Sequence, residues 1–438
     1  MYRHAMAGGV PVSGSAARSS EQSSSTNYTV PLVVLTSLFF MWGFLTCLND
    51  ILIPHLKAIF QLSYFRAMLI QSAFFIAYAV MSIPSGRIVS RVGHKRSILV
   101  GLGTMAIACM MFYPAAAQRS FPMFLLALFV LASGITLLQV AANPFVAILG
   151  KPETASSRLT LTQAFNSLGT FVAPFFGSML ILATAVKGAD ELAKLAPADL
   201  DAYHAAEAAS VQTPYIGLAI ALAVLAVAIS LFKLPTIEDD GGDSAVAGAA
   251  RDRGSAWRYP RLLLGALAIF MYVGGEVSIG SFLVNFFGEK DIAALKEADA
   301  AKYVSFYWGG AMVGRFVGTY TLRRFKPNLV LTTHAIGAAA LVVVAMLMSG
   351  DVAMWSILAV GLFNSIMFPT IFTLAIDGLG RHTSQGSGIL CTAIVGGGLI
   401  PPIQGQLADA VGIHHAFVVP VICYAYIAWY GLKAPKLD

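Results

Sequence analysis

The sequence predicts an all-α membrane protein of twelve spanning helices in two six-helix halves, and three observations carry that prediction. The 438 residues are 57% apolar and only 11% charged, against roughly 25% charged for a soluble domain. Apolar runs of about 20 residues, the length needed to cross hydrocarbon, recur from Pro31 to Leu432 with short polar interruptions. The second half of the chain also repeats landmarks of the first. Together these exclude a soluble enzyme with a single membrane anchor.

Residues 1–29, rich in Ser, Ala and Gly, contain no continuous apolar stretch and are expected to form a disordered tail, neither signal peptide nor span. The spans are expected at 30–56, 66–90, 97–116, 121–149, 159–185, 212–233, 259–287, 301–322, 328–349, 351–376, 385–411 and 414–432. The polar stretch 234–258, with Glu238, Asp239, Asp240, Gly241 and Gly242, reads as a linker. It separates an N-terminal half at 30–233 from a C-terminal half and short tail at 259–438. The fifth loop, Lys187 to Gln212, mixes acids with alanines and is expected to form a short surface helix.

An even number of crossings puts both termini on one side, and basic residues say which side. Of the 28 Lys and Arg residues only eight fall in the odd loops: Lys57, Arg66, Arg119, Lys187, Lys194, Lys290, Lys296 and Lys302. Even loops and tails hold nearly all the rest, so both termini are expected in the cytoplasm. The net charge of +6 follows from this asymmetry and calls for no nucleic acid. Cys47, Cys109, Cys391 and Cys423 sit in apolar runs without metal-ligand spacing, so buried packing is expected and neither zinc site nor disulfide framework.

The repeat is specific. Gly86-Arg87-Ile88-Val89 with Lys95-Arg96 returns as Gly314-Arg315-Phe316-Val317 with Arg323-Arg324. Gly169 to Gly177, with Pro174, returns in step as Gly397 to Gly405, with Pro402, and Phe40-Met41-Trp42 returns as Phe270-Met271-Tyr272. Each copy has six spans, so the copies share one orientation about an axis along the membrane normal. A solute site would form between them.

A carboxylate in hydrocarbon costs about 2.5 to 3.5 kcal/mol on insertion scales, and only Asp50 and Glu276 lie deep within spans; Asp377 and Asp409 lie at helix ends. Trp42, Thr46, Asn49 and Asp50 fall near one face of the first helix, as a cavity wall would. Burial disfavours the charged carboxylate, so Asp50 is expected to load a proton on one side and release it on the other. The bland role, bonding to nearby backbone, is about half as weighty. Glu276 follows Tyr272 by one turn and precedes Asn285; binding sugar hydroxyls or a second coupling cation there, and a plain interhelical ion pair with Arg or Lys, are equally expected.

Amides are the other costly groups. Gln139 with Asn143, Gln163 with Asn166, and Asn364 stand inside apolar helices, at spacings that let each pair face one cavity. Amides and carboxylates both suit vicinal hydroxyls, and Trp42 or Tyr272 suits the C–H face of a pyranose ring. Interhelical bonding is the competing role, at even odds for each. Gly86, Arg87, Arg91, Gly93 and Arg96, between the second and third spans, are expected to gate or to fix topology. No nucleophile–base or metal-ligand cluster points to an enzyme, and no cofactor is called for.

Several segments carry a family resemblance: Leu48-Asn49-Asp50-Ile51-Leu52, Met68-Leu69-Ile70-Gln71, Ala141-Ala142-Asn143-Pro144-Phe145, Leu161-Thr162-Gln163-Ala164-Phe165-Asn166-Ser167 and Phe368-Pro369-Thr370-Ile371-Phe372. They resemble the fucose/galactose/glucose:proton symporter family of the major facilitator superfamily, nearest its glucose/galactose branch. The resemblance implies the major facilitator fold, a bacterial inner-membrane location, a monomer, and cation-coupled hexose uptake by alternating access. It implies that Asp50 is the proton-linked carboxylate and that Gln163 touches sugar. The fucose-specific members carry a second acid in the fourth helix where this chain has Gln139, and Gln in the seventh where it has Glu276. Cys47 replaces an Asn of those members, which favours glucose, galactose or N-acetylglucosamine over fucose. Proton or sodium coupling stays open, as does a passive sugar facilitator.

Overall fold

The computed structural model describes residues 29–59, 64–118, 120–180, 196–232 and 254–437; side-chain surroundings are also left aside within 48–73, 174–180, much of 197–213, and 297–298. Residues 1–28 of the expected tail at 1–29, most of the linker and the start of the fifth loop lie outside the described residues. What is described is almost wholly helical, as hydrocarbon demands of a chain that must satisfy its own backbone groups.

The first half comprises α1 (Thr29–Ile59), α2 (Tyr64–Val92), α3 (His94–Ala117), α4 (Phe121–Ile148), α5 (Ala155–Leu180) and α6 (Pro197–Leu231). The second comprises α7 (Pro260–Gly288), α8 (Glu297–Arg324), α9 (Pro327–Leu347), a tenth span broken into α10 (Gly350–Asn364) and α11 (Met367–Ile376), an eleventh broken into α12 (Thr383–Thr392) and α13 (Gly396–Val411), and α14 (Val418–Lys433) after a short turn at Ile413–Ala416. Among the described residues nine stretches are long and apolar enough to cross a membrane; α2, α5 and α8 supply the other three long helices. α8 is the most polar of them, with Lys302, Arg315, Arg323 and Arg324 along it.

Three boundaries differ from the sequence expectation. The surface helix of the fifth loop is not separate, because its alanine-rich segment from Pro197 runs on through Pro214 into α6. The tenth span breaks at Ser365 and Ile366, and the eleventh tightens into a 3₁₀ turn at Ala393–Val395. The first break has a local cause, since Pro369 lacks the N–H that would bond the Ser365 carbonyl four residues earlier; no Pro or charge marks the second at Ala393–Val395.

The repeat seen in the sequence is a repeat in packing. Gly169 of α5 lies so close to the Phe40 carbonyl of α1 that a side chain has no room, and Gly396, just before α13's Gly397, meets the Phe270 carbonyl of α7 in the same way. Phe40 and Phe270 are the repeat partners, so both halves use a glycine to bring the same two helices together.

The halves touch at the end of the bundle where the described chain begins and ends, here called the terminal face. A Cβ on Gly86 of α2 would lie 2.9 Å from the Ser384 carbonyl, and one on Gly388 of α12 would lie 2.8 Å from the Ser82 carbonyl. Hydroxyls complete the contact: Ser156 Oγ with Thr373 Oγ1 at 2.6 Å, Ser157 Oγ donating to Thr319 O at 2.7 Å, and Ser387 Oγ donating to Val140 O at 2.8 Å. Arg323 Nε donates to Ser157 Oγ at 3.2 Å.

Candidate functional site

In the N-terminal half, α4 and α5 pack against the second half and α1 packs on α5. Trp42 is buried and packs its ring 5.5 Å from Phe39. Gln139 and Asn143, one turn apart on α4, are both buried, as is Gln163 on α5. Among the described residues, Gln139 Oε1, both amide atoms of Asn143 and Gln163 Nε2 make no hydrogen bond. A buried polar atom left so costs about 1–3 kcal/mol, which packing alone does not justify. Asn166 differs: its Nδ2 donates to Phe39 O at 2.9 Å, tying α5 to α1 where Gly43 and Gly169 bring the helices together. At Asn166 the bland expectation describes the geometry. Asn49 and Asp50 lie on α1, but their side chains fall outside the described residues.

The C-terminal half presents a closed network instead. Tyr272 OH donates to Glu276 Oε1 at 2.7 Å, across one turn of α7. Tyr307 OH of α8 donates to the Glu276 carbonyl at 3.2 Å and accepts from Asn364 Nδ2 at 2.7 Å. Asn364, the last residue of α10, accepts at Oδ1 from Tyr424 OH of α14 at 2.8 Å. All five residues are buried, and four helices meet in one chain of bonds whose acid end is Glu276. Arg315 of α8 is an electrostatic neighbour of Glu276 and Tyr272.

Two members of this network, Tyr307 and Tyr424, were not singled out in the sequence. Their signal was weak but physical: a tyrosine hydroxyl in an apolar helix needs a partner, and Asn364 and Glu276 were the available ones. Asn285 does not join. It lies nine residues beyond Glu276, which at 100° per residue is the opposite face of α7, and it is exposed.

The loop expected to gate divides by residue. Gly86 is buried in the contact with α12, whereas Arg87, Arg91 and Arg96 are exposed. Gly93 has φ of 82° and precedes α3, a left-handed conformation that glycine adopts without steric penalty. The helix end is met by Lys95, whose Nζ donates to Ser230 O at 2.8 Å and Phe232 O at 2.7 Å at the close of α6, a favourable place for a cation. Arg158 does likewise for α4, donating to Val146 O and Ala147 O.

A profile of the Major Facilitator Superfamily matches residues 33–402. Along 416 residues the chain is 57% identical to the "Glucose/galactose transporter" of Brucella abortus, covering 95% of this chain and 97% of that one. Along 408 residues it is 37% identical to the "L-fucose-proton symporter" of Escherichia coli, covering 92% of each. The crystal structure of the transporter FucP in the outward conformation superposes with a TM-score of 0.86 at 35% identity, over 93% of this chain and 99% of that one. With profile, relatives and architecture in agreement, the chain belongs to the Major Facilitator Superfamily and is a multi-pass membrane transporter of that fold.

Proposed function

We propose that the protein imports a hexose of the glucose or galactose type by proton symport, its two halves rocking about a central site. The observation that carries this reading is the set of buried amide atoms of Gln139, Asn143 and Gln163 that have no partner among the described residues. Such groups bind vicinal hydroxyls by donating and accepting at once, and Trp42, buried on α1, is a candidate apolar face. The names of the relatives, a glucose/galactose transporter and a fucose–proton symporter, support both substrate class and coupling ion.

In this reading 30–233 and 259–438 are the moving halves, 234–258 joins them, and both termini face the cytoplasm of a bacterial inner membrane. The terminal face is then the cytoplasmic gate, and the closed contact along it corresponds to an outward-facing carrier. Asp50 takes a proton from outside, and Glu276 supplies the second coupling group in the opposite half. One charge moved through 100 mV is worth about 2.3 kcal/mol, enough for roughly fifty-fold accumulation. The protein works as a monomer.

The test is uptake of labelled glucose into proteoliposomes under an imposed pH gradient, with galactose and N-acetylglucosamine as competitors and a sodium gradient as a separate arm. The intact chain is expected to concentrate sugar only with the proton gradient, and Asp50→Asn only to equilibrate it. Equilibration by both under either gradient identifies a passive facilitator; accumulation driven by sodium alone replaces the proton.

A further inference from the structure

At the end of the bundle opposite the terminal face, three turns of the C-terminal half enclose a surface cavity of about 400 Å³. Glu289 and Asp291 line it from the turn after α7, Met346 to Ser349 from the turn after α9, and His414 and His415 from the turn before α14. His414 Nε2 lies 3.3 Å from Asp291 Oδ2, close enough for an ion pair although not aligned as a hydrogen bond. The partners are unequal. The Asp291 side chain is 56% exposed and that of His414 only 18%, with Nε2 itself sealed from solvent.

Both partners are held in place by their surroundings. Glu289 O accepts from Ile292 N at 3.1 Å and from Ala294 N at 3.0 Å, and Leu295 N donates to Phe287 O at 3.0 Å, which closes the turn around Asp291. The His414 ring packs edge-on 4.9 Å from Phe286 of α7, and Phe286 lies 5.1 Å from Phe417 at the start of α14. Asp291 also acts through its backbone. Its carbonyl accepts from Gly350 N, the first residue of α10, at 2.8 Å. One residue thus gathers the far ends of α7, α10 and α14, the same helices that carry Glu276, Asn364 and Tyr424 at depth.

We propose that the Asp291–His414 contact is a pH-dependent staple, which fastens the far ends of these helices only while the imidazole is charged. An imidazole changes charge between about pH 5 and pH 8. In acid a cation stands beside the carboxylate; in alkali the neutral ring offers it either a lone pair or a misaligned N–H. The staple is therefore present at low pH and lost as pH rises through that range. Glu289 adds a second carboxylate to the same cavity, and His415, which is exposed, donates through Nδ1 to Val411 O at 3.2 Å. The turn after α9 adds no titratable group, and Lys290, Asp351 and Asp409 are exposed and outside the lining. In the proposed topology this face is the outer one, so the acidity that drives uptake also tightens the frame; that consequence alone rests on the topology.

Hydrogen exchange of the full chain in detergent, followed by mass spectrometry at about pH 5.5 and about pH 8 and corrected for intrinsic rate, reads the staple without a substrate. Segments 286–295 and 412–418 of the intact chain are expected to exchange roughly threefold more slowly at the acidic pH, the scale of a partly exposed ion pair. His414→Gln should exchange at both pH values as the intact chain does in alkali. Asp291→Asn, which keeps the backbone bond from Gly350, should lose the pH difference in the same way, and the two changes together should add nothing. His415→Gln should keep the difference. A merely structural histidine would give faster exchange at both pH values with the ratio unchanged, and that result for His414→Gln overturns the proposal. So does a difference that vanishes in His415→Gln alone. Repeating the measurement in proteoliposomes, with pH varied in one compartment at a time, decides the topology separately. If the difference follows the compartment that holds the termini, the staple fails; if it follows the other and the termini prove to lie outside the cell, the staple stands and the topology falls.

Discussion

Two groups of buried amides behave in opposite ways, and the division does not follow the halves strictly, because Gln404 of α13 is buried with neither amide atom bonded among the described residues. On α4 and α5, Gln139, Asn143 and Gln163 are held in the interior with bonding capacity unspent among the described residues. On the other side, Asn364 spends both ends of its amide on Tyr307 and Tyr424, and those contacts lock α8, α10 and α14 to the Glu276 network. Burial and residue type are alike on the two sides, so neither separates a ligand group from a structural one. The partners do. In the proposed reading Gln139, Asn143 and Gln163 form the recognition surface, and the residues bonded around Asn364 form the frame.

The sharpest way to break that comparison is Asn143→Leu. Removing a buried amide without partners should lower glucose affinity about tenfold or more, the scale of one or two lost hydrogen bonds. The melting temperature in detergent should hold or rise, because an unsatisfied polar atom has gone. A large fall in melting temperature with affinity unchanged would falsify the recognition role. Asn364→Leu should do the reverse. It strands the Tyr424 hydroxyl and removes the donor to Tyr307, whose own bond to the Glu276 carbonyl remains, so a stability loss of about 1–3 kcal/mol is expected, with half-saturation for sugar shifted by less than about threefold when stability is restored by cooling.

A smaller effect is expected at the crossing of α2 and α12. Gly388→Ala puts a methyl against the Ser82 carbonyl, and an overpacked contact costs about 1–3 kcal/mol. Net uptake should slow roughly fivefold to tenfold, measured against an unchanged equilibrium affinity for sugar in detergent. The smallest effect belongs to Lys95→Met. It removes a cation from the end of α6 at a cost of about 0.3–1 kcal/mol, read as a slightly lower melting temperature with uptake unaltered. A large transport defect there would move Lys95 from support into the gate.

The spans were legible in the sequence because hydropathy over twenty residues is a sum that survives local error. The repeat was legible because its glycines and prolines do the same work twice, as Gly169 and Gly396 show against Phe40 and Phe270. Tyr272 and Glu276 were legible as a pair because one helical turn separates them. Asn285 was assigned with them by proximity in sequence, although helical phase already turned it away. Tyr307 and Tyr424 were not legible, since their significance lies in partners 57 and 60 residues distant. The break at Ser365 and Ile366 did have a local signal in Pro369, whose missing N–H leaves the Ser365 carbonyl without its helical partner, and that carbonyl is the one Arg315 uses.

The terminal face is fastened mostly by serine and threonine: Ser156 to Thr373, Ser157 to Thr319 and Ser387 to Val140. Each is a bond between dipoles, worth about 1 kcal/mol net and readily exchanged for one to water. Mobile ions screen charges over a Debye length of about 8 Å at physiological ionic strength, but they have little purchase on such bonds. A contact latched in this way should open and close at a pace nearly indifferent to the ionic strength on its side of the membrane.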